Sequence, residues 1–350
     1  VFARVGLAAA AVCLMVAGAV MADASYQRLS YAELSGWSDD DHAAALAAFR
    51  RTCRPGRESP LLVDQDWDGV CAALEHAYDP KAFFEATFEP VLITNDTDAL
   101  FTGYFEPELR ASRTFSPRFR HPLYRPPPEL AGAAKPWLSR GEIEGGALEG
   151  RGLEIAWLED PVESFFLHIQ GSGRLRLTDG SVLRVGYAAR NGHSYRSVGK
   201  RLAELGIMSV HKVSAGNIKR WVRDNPGTGE EMLNYNRSYI FFREVEGLAP
   251  EDGPRGALNR PVTAGRSVAI DNRFTPLGLP VWVETETRDG PLNRLMIAQD
   301  VGSAIKGAQR ADIFFGSGSD AGRIAGSQRY PGRLITFLPR QAAARLLPSD

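Results

Sequence analysis

Short apolar runs rich in Phe, Ile, Val and Tyr recur from Val91 towards the C-terminus, each bounded by glycine, proline or aspartate. Runs of this length and composition predict the strands of a turn-rich β protein. They are ALFTGYFEPEL, LEIAWLE, SFFLHIQGSGRLRL, SVLRVGYAAR, SYIFFREVE, SVAIDNRF, LPVWVET, RLMIAQD, ADIFFG and RLITFLP. We therefore predict β-barrels with helices at the periphery, and a β-sandwich is the open alternative.

Helical signals are concentrated in Ser38–Phe88, where three stretches predict an N-terminal helical cap. SDDDHAAALAAFRRTC begins with acids and ends with arginines, and DWDGVCAALEHAYD follows it. DPKAFFEATFEP has Asp79 at the N-cap and Pro80 at the first helical position. Further on, Ser197–Ile207 and Ser214–Pro226 each begin with a serine N-cap and predict two more helices.

Length and charge limit the functional classes. A chain of 350 residues is long enough for two domains, and its net charge of -1 gives no reason to expect a nucleic-acid partner. The sequence has neither GxxxxGK[ST] nor a GxGxxG that opens a helix, and it has neither HExxH nor CxxC. We predict no nucleotide, metal or other cofactor.

Residues 1–22 have the pattern of a secretory signal peptide. Val5–Val20 is almost wholly apolar, and AVMADAS then offers small residues for cleavage. The alternative is an uncleaved anchor, but the apolar run is short for a span of about 20 residues. Cys13 lies within the apolar run, where it does not suit lipid attachment. The sequence therefore predicts an exported protein.

Export gives Cys53 and Cys71 a specific interpretation. Once the predicted signal is removed they are an even pair in an oxidising compartment, which predicts a disulfide bond. Two free buried thiols are the alternative.

Three aspartates close apolar runs in the C-terminal third: Asp271 in VAIDNRFTPLG, Asp300 in MIAQDVG and Asp312 in RADIFFGSG. Two carboxyl groups placed close together raise the pKa of one, which leaves a protonated acid near neutral pH. Cleavage of a glycosidic bond needs such an acid, because the leaving oxygen must be protonated. Aspartate also stabilises turns by accepting backbone N–H groups, and this is the alternative for each one taken singly.

Several long motifs, in order, resemble the membrane-bound lytic transglycosylase A family with its C-terminal 3D domain. They are FTGYFEPEL, FFLHIQGSGRLRL, RVGYAARNGHSYRSVG, NYNRSYIFFRE, VAIDNRFTPLGLPVWVE, RLMIAQDVGSAIKGAQRADIFFGSGSDAG and RYPGRLITFLP. The resemblance implies a double-psi β-barrel domain with an inserted second barrel-like domain, and a groove between them for a glycan. The implied boundaries are 25–106 with 234–350 for the first domain and 107–233 for the insertion.

The same resemblance implies an activity. The family cleaves the β-1,4 bond between N-acetylmuramic acid and N-acetylglucosamine in peptidoglycan and forms a 1,6-anhydromuramoyl end. Its single catalytic acid corresponds to Asp312, with Asp300 as the neighbour that tunes it and Asp271 as a substrate contact. The alternatives are a muramidase in which Asp300 activates water, and a glycan-binding envelope protein without activity.

The remaining candidates are residues that we predict to contact the glycan: some lie near the implied domain crossings, two are in HIQGSG, and Lys306 lies between Asp300 and Asp312. Gln170 and Ser172 are expected on a β-turn, with His168 on the strand before it. The other candidate contacts are Thr102, Gly103, Tyr104, Asn236, Ser238 and Lys306.

Partners and location follow from the implied activity. We expect peptidoglycan strands as the partner, contacts with cell-wall synthesis or division complexes, a monomer, and a periplasmic location. No cysteine directly follows the predicted signal, so the sequence does not predict a lipid anchor.

Overall fold

The structure is a computed structural model that describes residues 24–53 and 61–347. The predicted signal peptide and Cys13 lie outside these residues. In the described part of the chain, no helix is both long and apolar enough to span a bilayer. The chain divides into two compact units. The first holds the described residues of Val1–Gly103, Arg255–Phe314 and Gln328–Asp350, and the second holds Tyr104–Pro254 and Phe315–Ser327. The domain boundaries implied by the resemblance stay a prediction.

Most of the described strands are short and lie on the predicted apolar runs. The described strands are β1 (Ser25–Arg28), β2 (Phe88–Thr94), β3 (Leu100–Glu106), β4 (Glu108–Ser112), β5 (His121–Tyr124), β6 (Glu154–Leu158), β7 (Ser172–Leu177), β8 (Val182–Arg190), β9 (Ile240–Glu244), β10 (Ser267–Ile270), β11 (Pro280–Thr287), β12 (Gly290–Val301), β13 (Arg310–Ser317), β14 (Arg329–Tyr330) and β15 (Gly332–Pro339). Of these, β1, β2, β5 and β14 lie outside the predicted runs.

The described α-helices connect these strands along the chain or follow the last of them. They are α1 (His42–Arg50), α2 (Asp64–Glu75), α3 (Pro80–Thr87), α4 (Arg140–Glu142), α5 (Pro161–Gln170), α6 (Val198–Glu204), α7 (Ala215–Asp224), α8 (Thr228–Asn234), α9 (Gly318–Ser327) and α10 (Arg340–Leu346). Short helical turns occur at Tyr31–Glu33, Trp37–Asp39, Pro128–Ala131, Ile143–Ala147 and Val210–Lys212.

The strands form a nine-stranded sheet in the order β1-β2-β15-β11-β12-β10-β13-β3-β14 and a six-stranded sheet in the order β5-β6-β4-β7-β8-β9. The prediction of a mainly β fold with peripheral helices is confirmed. Among the described strands, no pairing joins the ends of either order into a closed barrel.

The predicted N-terminal helices are confirmed as α1, α2 and α3. Asp41 accepts the N–H of Ala44 at the start of α1, and Asp79 accepts the N–H of Ala82 at the start of α3. Their apolar faces share one core with the buried side of β11 and β15, where Trp282 and Phe337 have no exposed surface. The N-terminal helices thus cover the large sheet of the first unit at β11 and β15. The candidate site lies further along the same sheet, at β10 and β13.

The second unit corrects one prediction. The run SFFLHIQ, predicted as a strand, is the C-terminal part of α5. Asp160 accepts the N–H groups of Val162 and Glu163, and Pro161 occupies the first turn, so capping outweighs the β-type composition. His168 is consequently a helical residue packed edge-on against Tyr239.

The predicted cysteine pair is bonded, with the Sγ atoms of Cys53 and Cys71 at 2.12 Å. The bridge joins the segment after α1 to α2 across 18 positions of sequence. A loop of this length predicts a contribution of about 3 kcal/mol to the free energy of unfolding.

We expect the Cys53→Ala/Cys71→Ala double variant to unfold at a Tm several degrees lower than the wild-type protein, because its unfolded chain is less constrained. Thermal unfolding with and without dithiothreitol measures this. Reductant should lower the wild-type Tm and leave that of the double variant unchanged. Equal sensitivity of both proteins to reductant would contradict the role of the bridge.

Candidate active site

The candidate site is built on three neighbouring strands of the nine-stranded sheet. β10 lies between β12 and β13, and its Ala269 is in register with Asp300 on one side and Asp312 on the other. Adjacent strands are about 4.8 Å apart, so the main chains that carry the two aspartates are separated by roughly 10 Å. The sheet therefore brings Asp300 and Asp312 to the same level but places a strand between them.

Asp312 has the environment of a general acid. Its Oδ1 accepts a hydrogen bond from Thr102 Oγ1 at 2.5 Å. The residue keeps some accessible surface, whereas its carboxyl group is densely surrounded by protein atoms. This burial raises the pKa of Asp312 to about 6, although the Thr102 hydrogen bond and the charge of Arg310 act to lower it. A carboxyl group with this pKa exchanges a proton close to neutral pH.

Burial is the main cause of the raised pKa of Asp312. The sequence instead predicts that pairing with Asp300 raises it. Asp300 uses its Oδ1 to accept the main-chain N–H groups of Ala257 at 3.0 Å and Val301 at 2.9 Å. Gly256 allows this approach, because a Cβ there would lie 2.7 Å from the carbonyl oxygen of Gln299. Asp300 thus holds the segment before β10 against the end of β12.

Asp271, the predicted substrate contact, is buried and hydrogen-bonded to other residues of the protein. Its carboxylate accepts hydrogen bonds from the Arg273 guanidinium and from the Gly307 N–H at 2.9 Å. Burial acts to raise the pKa of Asp271, but these hydrogen bonds outweigh it and hold the pKa below its ordinary value. Gly307 has a φ of +117° and a Cβ there would collide with the Thr97 side chain. A glycine at position 307 therefore allows its N–H to reach the Asp271 carboxylate.

Of the other candidates in the first unit, the structure brings only Thr102 to Asp312. Gly103 follows Thr102 on β3. Lys306 is exposed in the loop between β12 and β13.

The candidates in the second unit are largely engaged with the protein itself. Gln170 Oε1 accepts the N–H of Phe105, and Ser172 is buried at the start of β7. Asn236 is buried and its Oδ1 accepts the N–H groups of Arg196 and Ser238. Tyr104 is also mostly buried. Apart from Tyr104, these residues lie at turns and strand ends, and their predicted contacts with the glycan stay a prediction.

Arg310 was not among the candidates, yet it is bonded to the site. It donates through Nη2 to Thr102 Oγ1 at 2.9 Å. The signal was present in RADIFFG, because residues two apart on a strand point to the same face and this places Arg310 beside Asp312.

Two family models match the chain. The MltA specific insert domain covers residues 100–243, and the 3D domain covers residues 266–338. The first match lies mainly on the second unit, and the second match contains Asp271, Asp300 and Asp312.

Curated relatives include two proteins named membrane-bound lytic murein transglycosylase A. The one from Escherichia coli strain K12 is 36% identical over 67% of this chain and 64% of its own length. The one from Vibrio cholerae serotype O1 is 35% identical over 72% of this chain and 69% of its own length. The chain thus spans a little under two thirds of the E. coli relative.

Solved structures of high similarity cover nearly the whole chain. A membrane-bound lytic murein transglycosylase from Agrobacterium tumefaciens is 34% identical, with a TM-score of 0.80 over 92% of this chain and 99% of that chain. E. coli MltA with bound chitohexaose is 27% identical, with a TM-score of 0.71 over 90% and 94% of the two chains.

Proposed function

Because the chain belongs to the family of membrane-bound lytic murein transglycosylase A, we propose that it cleaves peptidoglycan glycan strands as a lytic transglycosylase. The observation that carries the proposal is Asp312, a partly accessible residue whose pKa is raised to about 6. Such a carboxyl group can deliver a proton and later remove one at the same pH. The chitohexaose bound to the E. coli relative supports a glycan of N-acetylated sugars as the substrate class.

The reaction requires two proton transfers by one group. Protonated Asp312 donates to the oxygen of the β-1,4 bond between N-acetylmuramic acid and N-acetylglucosamine, and the C1–O bond breaks. Positive charge develops at C1 of the muramoyl residue. The Asp312 carboxylate then takes the proton of that sugar's own 6-hydroxyl as O6 bonds to C1. The 1,6-anhydro product forms without water, and Asp312 returns to its protonated form.

An internal nucleophile removes the need for a second catalytic carboxylate. The 6-hydroxyl is part of the reacting sugar, so its effective concentration at C1 is high. Asp300 is engaged with two main-chain N–H groups and lies on the far side of β10. This arrangement supports the single-acid route over a hydrolase in which Asp300 activates water.

Digestion of purified murein in H2¹⁸O separates the candidate functions. A lytic transglycosylase should release fragments with 1,6-anhydromuramic acid ends and no ¹⁸O, measured by mass spectrometry. A muramidase would release reducing ends that carry ¹⁸O. A glycan-binding protein without activity would sediment with murein and release no fragments. Either of the last two outcomes would contradict the proposal.

We also propose that the protein acts in the periplasm, as a monomer, on strands made or remodelled by cell-wall synthesis and division complexes. The signal-like pattern of residues 1–22 supports export.

A further inference from the structure

We infer that Arg310 is a positioning residue which, through the Thr102 hydroxyl, confines the transferable proton of Asp312 to Oδ2. This inference rests on the proposed function, in which Asp312 is the acid and base. It assigns a role to two residues that lie beside the acid.

The first step is the immobilisation of the Arg310 guanidinium. Its Nη1 donates to the carbonyl oxygens of Leu100 at 3.1 Å and Ala311 at 2.5 Å. Its Nη2 donates to Thr102 Oγ1 at 2.9 Å. A guanidinium is planar and has only donors, so three acceptors on two strands fix its plane and direct one N–H at the threonine oxygen.

The second step is the direction of the Thr102 hydroxyl. Arg310 supplies a proton to Oγ1, which leaves the single hydroxyl proton of Thr102 to be donated. Within the described residues, Asp312 Oδ1 at 2.5 Å is the acceptor that this hydroxyl reaches. A buried hydroxyl that has no acceptor is unfavourable, so donation to Oδ1 is the favoured state.

The third step is the position of the acidic proton. The carbonyl oxygen of a protonated carboxyl group accepts a hydrogen bond better than its hydroxyl oxygen does, so protonation on Oδ1 would weaken the bond from Thr102. The protonated carboxyl group therefore holds its proton on Oδ2. When Asp312 later acts as a base, the same oxygen is the one left to accept, so the proton leaves from and returns to one defined atom.

The charged groups around Asp312 come from three strands. Arg310 lies on β13 with Asp312, Arg329 on β14 is in register with Thr102, and Asp300 lies across β10 on β12. The Thr102 hydrogen bond and the Arg310 charge favour the carboxylate form and so oppose burial. The pair thereby keeps Asp312 able to serve as both acid and base.

Thr102→Val tests the inference because it keeps the shape of the side chain and removes the hydroxyl. We measure the rate of anhydro-end release from purified murein as a function of pH. The limb of the profile on which the rate falls with rising pH reports loss of protonated Asp312. Loss of a hydrogen bond to the carboxylate should move this limb upwards by about one to two pH units. Thr102→Ser, which restores the hydroxyl, should restore the wild-type midpoint.

Arg310→Gln should also move the midpoint upwards, because it removes the charge that favours the carboxylate. In the double variant with Thr102→Val the two effects should sum to less than their separate values, because Arg310 acts in part through the Thr102 hydroxyl. The ¹³Cγ shift of Asp312, titrated by NMR in the same variants, reports the pKa where activity is too low to measure. Unchanged midpoints in all variants, with anhydro ends still released, would overturn the inference alone. Absence of anhydro ends from the wild-type protein would instead overturn the proposed function.

Discussion

Asp312→Asn is expected to lower the rate of anhydro-end release at least about a thousandfold, because the amide neither donates an acidic proton nor accepts one. The substitution keeps the size of the side chain and its ability to accept the Thr102 hydroxyl. Purified murein and mass spectrometry of the released fragments give the measurement. Retention of more than a tenth of the wild-type rate would contradict Asp312 as the acid.

Two controls make this result specific. Asp300→Asn removes a carboxylate of the same 3D set, and it should reduce the rate far less, because Asp300 binds Ala257 and Val301. Equal losses in the two variants would contradict a single-acid route.

The second control is stability, which excludes unfolding as the cause of lost activity. The folded-state pKa of Asp312, about 6, is above the ordinary 3.8. Its protonated form therefore contributes stability that is fully present below pH 3.8 and is lost as the pH rises through 6. At pH 7, Asp312→Asn should accordingly be as stable as the wild-type protein or more so, by about 1–2 kcal/mol after allowance for its partial exposure. Urea unfolding at pH 4 and pH 7 checks the sign.

The strands and the N-terminal helices were predictable because their signals are local. Asp79 with Pro80 marked the start of α3, and runs such as VAI and ADIFF marked β10 and β13. The same capping signature at Asp160 and Pro161 was outweighed by the Phe- and Ile-rich composition that follows it, so α5 was predicted as a strand. A capping signal deserves more weight than composition where the two disagree.

The site was predictable only in part because its decisive contacts are not local. Asp312 was identified through the family resemblance, but Thr102 is 210 positions away in sequence. No spacing rule connects them, and only the neighbouring positions of β3 and β13 in the sheet bring them together. The predicted influence of Asp300 on Asp312 came from the resemblance and required the two carboxyl groups to lie close together. In the structure β10 lies between the two aspartates, and burial of the carboxyl group raises the pKa of Asp312.

The second large effect is expected in the other unit, at the buried carboxylate of Glu106. Its side chain is 1% exposed. It receives hydrogen bonds from Arg174 at 2.7 Å, Arg184 at 2.9 Å and Ser317 Oγ at 2.7 Å. Both arginines also donate to the carbonyl oxygen of Asp252. One carboxylate thus holds β7, β8 and the end of β13 together.

Glu106→Gln should lower the stability of this unit by about 3–5 kcal/mol, because it leaves two largely buried guanidinium groups without their counter-charge. Glu108→Gln is the matched control two positions further on, at the start of β4: its partner Arg176 is 65% exposed, so its loss should cost less than about 1 kcal/mol. Hydrogen exchange of β7 and β8 peptides, followed by mass spectrometry, measures both variants in the intact chain. Similar losses of protection in the two would show that burial of Glu106 adds nothing to an ordinary surface pair. A large loss confined to Glu106→Gln would show that this one carboxylate sets the stability of the unit.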